Sequence, residues 1–498
     1  MVFNVIGDAA SSLNVQTVLL FVGILLLTLS LTWMRHPRNL PPGPPAWPLI
    51  GNTRGLKKGP IHLVLADWAR QYGSIMSIWI GSCLVIVLND IGAVKEALVK
   101  QADCFSDRIK TDDPQHKGSI IMSNGNVWRE RRRFGLSALR TLGMGKRSVE
   151  HKINEEARYL LESFDARRDK PFDPEHDILN AVSNIICMIT FGYRFEYSDP
   201  KFAQLIKLIK TNLSSSSFLS VSFLHYLFNR SEHVERLKRF EKTAAFIQGI
   251  VEEHRHSFDP NDIRDIIDMY ILEIRQHEQM EKVIEGEVAF HEKTMWRGIR
   301  DFFVAGTDTT TNTLMWLILY MAIYEDVQKK VQKEIDAVVG CDRQPVGEDS
   351  NEMPYTNAVL MEMQRHKPVT PNAVPHQTSY QTEIFGYTVP ANTIVFVNLW
   401  AILRDPKHWN DPEKFDPTRF LSGDGKTVKK PEAFIPFSFG RRICIGETLA
   451  KMEMFLFFVN LLQRFTFSLP AGKPPPSLEG IVGITLGPHP YEIVAKRR

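Results

Sequence analysis

The residues best placed to do chemistry stand in Phe437-Ser-Phe-Gly440-Arg-Arg442-Ile-Cys444-Ile-Gly446, which runs straight into the apolar pattern GETLAKMEMFLFFVNLLQRF. A cysteine just before a helix has its thiolate stabilised by free backbone N–H groups and by the positive end of the helix dipole. Gly440 and Gly446 let the backbone turn sharply and lie close beneath a flat ring, with no Cβ in the way. Phe437 can cover the sulfur, and Arg442 can pair with an anionic substituent of the ring. A sulfur that binds iron in a flat macrocycle must be ionised, held close and shielded, and this loop supplies all three. An isolated Cys-x-Gly would read as an ordinary free thiol; the shared register of Phe, Gly, Arg, Cys and Gly sets this one apart.

The other cysteines (Cys83, Cys104, Cys187, Cys341) show no CxxC spacing. That argues against a disulfide framework or a four-cysteine zinc site and fits a reducing compartment. A second constellation lies in DFFVAGTDTTTNTLMWLILYM (301–321). Small Ala305 and Gly306 leave space for dioxygen. Thr309 can hold a proton-carrying water, and Asp308 can feed protons from solvent. Threonines in a helix otherwise bond back to the preceding turn, so it is the pairing with the cysteine loop that gives these residues chemical meaning. A third is NVWRERRRF (126–134), where Trp128 and Arg132 stand four apart on one helix face.

FSFGRRICIG resembles the haem-binding signature of the cytochrome P-450 superfamily, and AGxDTT, WxxxR and ExxR segments at matching places extend the likeness over nearly the whole chain. Its details resemble the animal microsomal branch, the family 2-like monooxygenases. The resemblance implies haem b, with Cys444 as the metal ligand and Asp308 and Thr309 as catalytic residues. It implies Arg108, Trp128, Arg132, His376 and Arg442 around the propionates, and Ala305, Gly306, Phe437, Gly440 and Gly446 against the ring. Glu362, Arg365 and Arg419 would form a buried folding network. Phe302, Ala305, Asn372, Val374, Ile481 and Val482 would line the pocket for a lipophilic substrate such as a fatty acid, steroid or xenobiotic. No flavin or nicotinamide fingerprint is present, so NADPH electrons would arrive through a flavoprotein reductase, with cytochrome b5 a further possible donor. The basic face near Arg129, Arg133, Arg140 and Lys146 would dock it. A haem-thiolate isomerase acting on a peroxide, or a haem carrier, would not need the Asp308-Thr309 pair.

These residues need a mainly helical body with a small β subdomain. Apolar spacing is mostly helical from about 90 to 340 and again over 447–464. Residues 61–72 also read as a helix, 74–89 as a hairpin, and short extended pieces return near 380–398. The 498 residues, 44% hydrophobic and 23% charged with a formal charge of +3, suit a globular core and give no reason to propose a nucleic-acid partner.

Residues 1–35 read as a retained signal anchor with one N-terminal transmembrane helix. Val18–Met34 carries no charge, and Arg35 and Arg38 follow it, which keeps the rest of the chain cytosolic by the positive-inside rule. The Pro-rich stretch 36–52 reads as a stiff connector, and 53–498 as one catalytic domain on the cytosolic face of the endoplasmic reticulum membrane.

Overall fold

The computed structural model describes residues 15–34, 37–48, 50–110, 116–145, 147–167, 169–214, 230–279 and 288–498. Helix α1 (Val15–Met34) stands first, and the helices of the body include α2 (Gly125–Thr141), α3 (Arg147–Asp165), α4 (Glu175–Thr190), the 32-residue α5 (Glu292–Ile323), α6 (Glu325–Val338), α7 (Pro354–His366) and α8 (Glu447–Arg464). The expected helix at 61–72 is Ile61–Tyr72. The fold is therefore mainly helical with small sheets, as the apolar spacing implies.

Helix α5 is the axis of the body. It packs along α4 and against α8, and from Leu314 to Ala322 every residue is buried. The large helical core joins Leu314–Ala322 to the Leu449–Leu462 face of α8 and to Ile178–Ile189 of α4. Gly306 permits the α4–α5 approach: a Cβ there would lie 2.4 Å from Cδ1 of Ile186.

The expected hairpin forms β1 (Ile75–Ile80) and β2 (Cys83–Leu88), turning at Gly81, whose φ is 61°. With β3 (His376–Gln377) and β6 (Ile394–Val397) they build a four-stranded sheet in the order β1-β2-β6-β3. Between those two strands, β4 (Thr382–Ile384) pairs with β5 (Tyr387–Val389). The remaining pairs are β7 (Phe465–Ser468) with β10 (Val494–Arg497) and β8 (Ile481–Val482) with β9 (Leu486–Gly487).

The Pro-rich stretch is fastened to the sheet. Ser77 N donates to Pro42 O and Ser77 Oγ to Pro41 O, while the Asn52 amide donates to Pro44 O and Pro45 O. Prolines cannot donate, so these contacts use their carbonyls alone.

On α1, side chains from Val18 to Leu27 are mostly exposed. Among the described residues, no helix is long and apolar enough to cross a membrane.

Candidate active site

The Cys444 loop is set by its backbone. Phe437 O accepts from Cys444 N at 3.2 Å, closing the loop over a 3-10 turn at Gly440–Arg442. Gly440 has φ 76°, and a Cβ there would meet Leu98 O at 2.3 Å. Its freedom thus serves the turn and the close approach to residues 96–100. Gly446, at φ −93°, has no such need: a Cβ there would stand 4.0 Å from Sγ of Cys444, an ordinary contact.

Cys444 opens into a cavity of about 310 Å³ between α5, α2, α4 and the start of α8. Burial pushes its thiol pKa up, while the Gly446 and Glu447 amides and Arg132 pull it down. A bound cation would shift that balance to the thiolate.

Ala305, Gly306 and Thr309 of α5 line the same cavity as the loop. Thr309 Oγ1 donates to Ala305 O at 2.7 Å. The back-bond to the preceding turn is therefore present, and it leaves the hydroxyl oxygen as an acceptor facing the cavity. Asp308 does not line the cavity. Its carboxylate accepts from Thr485 Oγ1 and is also held by Asn312, and burial is the main cause of its raised pKa.

One end of the cavity gathers Arg108, Arg132, Arg442 and Trp128. Arg108 donates to Val374 O and Pro375 O, Arg132 to Ile443 O, and Arg442 to Ser106 O and Ser123 O. The Arg442 guanidinium lies 3.8 Å from the centroid of the Trp128 ring. Among the described residues no carboxylate forms an ion pair with any of the three, and Nε of buried Arg108 has no partner. Burial and mutual repulsion push Arg108 down to about 9 and Arg442 to about 8, and Arg132 moves the same way through burial. Three crowded guanidinium groups without an anion are costly. They fit a group that brings carboxylates to this end, a flat apolar body to the middle and a metal to the sulfur. His376 is buried behind this end, with Nδ1 2.8 Å from Phe105 O, and burial together with Arg108 depresses its pKa strongly.

Of the expected substrate contacts, Phe302, Ala305 and Val374 line the cavity, while Asn372, Ile481 and Val482 do not. Asn372 is buried, with neither polar side-chain atom hydrogen-bonded, and Ile481 is exposed. Walls the sequence did not point to are Ile120, Ile121, Ile186, Ile189 and Ile266, joined by Asp301. Asp301 accepts from Ser119 Oγ at 2.5 Å and from Ile121 N at 3.2 Å, tying residues 119–121 to α5.

Arg129, Arg133 and Arg140 are exposed on α2; Lys146 lies outside the described residues. Arg441, not foreseen, joins Arg129, Trp128 and Arg132 around a surface groove.

A family model described as Cytochrome P450 matches residues 41–495. Cytochrome P450 2U1 of Bos taurus is 41% identical over 514 residues, covering 96% of this chain and 93% of its own length. Cytochrome P450 2U1 of Homo sapiens is 41% identical with the same coverage. Cytochrome P450 2J2 of Homo sapiens is 39% identical over 492 residues, 96% of each chain.

Proposed function

The chain belongs to the cytochrome P450 family and is an oxidoreductase, a monooxygenase, and from that premise we propose that it hydroxylates a lipophilic substrate (a fatty acid, steroid or xenobiotic) with NADPH electrons delivered by a flavoprotein reductase. The family implies a haem-thiolate iron. The observation that carries the reading is one largely apolar cavity whose lining brings together a cysteine sulfur, the Thr309 hydroxyl and three anion-seeking guanidinium groups. When bound, the haem supplies iron chemistry that reduces dioxygen with two electrons and two protons, so that one oxygen atom enters the substrate and the other leaves as water.

The chain's own residues do the rest. Cys444 gives its thiolate to the iron, and the Gly446 and Glu447 amides with Arg132 hold that negative charge. Arg108, Arg132, Arg442, Trp128 and His376 orient the group by its anionic edge, with Phe437, Gly440 and Gly446 shaping the loop beneath it. Ala305 and Gly306 leave room for dioxygen. Thr309 accepts a hydrogen bond from a water that carries protons, and Asp308 supplies them. The isoleucine walls keep bulk water out and hold an apolar substrate; contacts of that kind rank substrates by only about 1–3 kcal/mol per group.

In the same reading, residues 1–35 anchor the chain in the endoplasmic reticulum membrane, 36–52 connect, and 53–498 catalyse on the cytosolic face. The pinning of Pro41 and Pro42 to β1, with Pro44 and Pro45 held by Asn52 of the same stretch, supports a fixed orientation to the bilayer. Arg129, Arg133, Arg140 and Lys146 dock the reductase, and cytochrome b5 is a further candidate for that face. Reductase-supported turnover is then expected to weaken as salt rises past about 0.1 M, where the screening length is roughly 10 Å. A rate indifferent to salt would remove that docking face.

The deciding experiment mixes purified protein, reductase and NADPH with fatty acids, steroids and small drugs, and measures oxygen incorporation. Product from added peroxide alone would favour the isomerase class, and no product from any substrate would sink the reading. Thr309→Ala is expected to lower product formed per NADPH by at least about tenfold, less than the roughly 10²–10⁴-fold a positioned acid or base supplies, because water still enters the cavity. Unchanged coupling would remove Thr309 from the mechanism.

A further inference from the structure

A second, smaller cavity of about 50 Å³ lies against the first and shares Thr309, Thr310 and Phe437 with it. Water occupies about 30 Å³ per molecule, so this space suits one or two waters and is too small for a substrate. Its polar walls are Thr309, Thr310 and Thr313 of α5, with Gln364 and Lys367 at the end of α7. The hydroxyl protons of Thr309 and Thr313 are already given to Ala305 O and Thr309 O, so both oxygens need donors from the cavity side. Gln364 turns its amide to the Met454 sulfur at 3.6 Å. Thr310 bonds to the Glu453 carboxyl, and Lys367 is the donor-rich residue of this lining.

Lys367 is 7% exposed, a rare state for lysine. Its ammonium stands 5.0 Å from the Trp316 ring centroid and 5.6 Å from that of Trp400. It donates to Leu478 O, and among the described residues no carboxylate forms an ion pair with it. The charges around it are Arg404, which disfavours the ammonium, and Glu413 and Glu479, which favour it; Arg365 and His366 precede it on α7. Burial first, then Arg404, lowers its pKa to about 8, so it can release and recover a proton near neutrality. Leu478 lies between exposed Ser477 and Glu479, which gives the ammonium a short way to solvent. Asp308 lines neither cavity.

We propose that Lys367 is a proton-holding residue that supplies protons to the Thr309 hydroxyl through water in this side cavity, by a route separate from Asp308. The ammonium gives one proton to the water, the water carries it to the Thr309 oxygen, and the neutral amine regains one from solvent beside Glu479. No electron moves in these steps. The inference rests on the monooxygenase reading.

The test uses the full-length holoenzyme with Lys367→Met, which cannot carry a proton, and Lys367→Arg, which does not release one. The NADPH-driven reaction (RH + O₂ + 2e⁻ + 2H⁺ → ROH + H₂O) consumes delivered protons. The peroxide-driven one (RH + H₂O₂ → ROH + H₂O) brings its own. Both variants are expected to lower product per NADPH by about fivefold or more, short of the full effect of a general acid because Asp308 remains. The peroxide-driven rate is expected to stay within about twofold, a margin that a misfolded pocket would exceed. Competitive acetylation of the wild-type protein should show Lys367 titrating near 8, well below an ordinary lysine. Unchanged coupling, a parallel fall in both reactions, or an ordinary lysine titration would each overturn the proposal. A wild-type enzyme silent with reductase and NADPH would instead overturn the monooxygenase reading.

Discussion

Replacing Cys444 with serine is expected to abolish the red-shifted absorbance band of the reduced carbon monoxide complex, and with it NADPH-driven product. Among the cysteines only Cys444 lines the cavity; Cys104 and Cys187 are buried elsewhere, where burial raises their thiols. None can substitute without moving the backbone. The loop also aims anion-favouring groups at this one point, the Gly446 and Glu447 amides and Arg132, against burial and the Glu447 carboxylate, which keep the thiol raised. A serine hydroxyl ionises far less readily, so the same amides would face a neutral oxygen and a weaker electron donor. Loss of an outer-shell partner of a metal typically costs about 10–100-fold; losing the ligand itself should cost more. The spectrum of the purified variant decides the matter. A retained thiolate band would show that another residue holds the iron.

The Cys444 loop was legible in the sequence because its chemistry is local: turn, sulfur and helix start fall within ten residues. Glycine types were legible too, though their reasons were not. Gly440 meets Leu98 O, more than three hundred residues away in sequence. Asp308 shows the limit of adjacency. Successive helical residues point about 100° apart, so a neighbour of Thr309 need not share its face, and only the fold brings Thr485 to that carboxylate. The cavity walls were the least legible part. Ile120, Ile186 and Ile266 sit in three separate segments and look like any buried isoleucine. Of the pocket residues the resemblance implies, Phe302 and Ala305 on α5, which helical spacing carries together, and Val374 line the cavity. Asn372, Ile481 and Val482 do not line it, and no periodicity in their short segments records which way they face. Lys367 escaped for the opposite reason: in sequence it reads as an ordinary charge at a helix end.

The largest stability effect is expected from Glu362→Ala. The carboxylate accepts from Arg365 Nε at 2.7 Å and Nη2 at 2.8 Å, from Arg419 Nε at 3.1 Å and from Asp416 N at 2.8 Å. Glu362 and Arg365 are both wholly buried. Arg365 also donates to Leu403 O, and Arg419 to Asn410 O and Lys414 O. These bonds tie α7 to the irregular stretch around 403–420, which has little regular structure of its own. Alanine would leave two guanidinium groups facing an empty acceptor position, one of them with no access to water. Breaking a buried pair in this way costs roughly 3–5 kcal/mol, a large share of a typical folding free energy of about 5–15 kcal/mol. The effect should reach the iron site, because the tethered stretch runs on through Phe434, packed 4.9 Å from Phe420, to Phe437 at the mouth of the cysteine loop. Glu362→Ala is therefore expected to give little soluble protein, and that fraction should be poor in haem and melt several degrees lower. A variant that purified with full haem content and an unshifted thermal midpoint would show that α7 does not hold the cysteine loop in place.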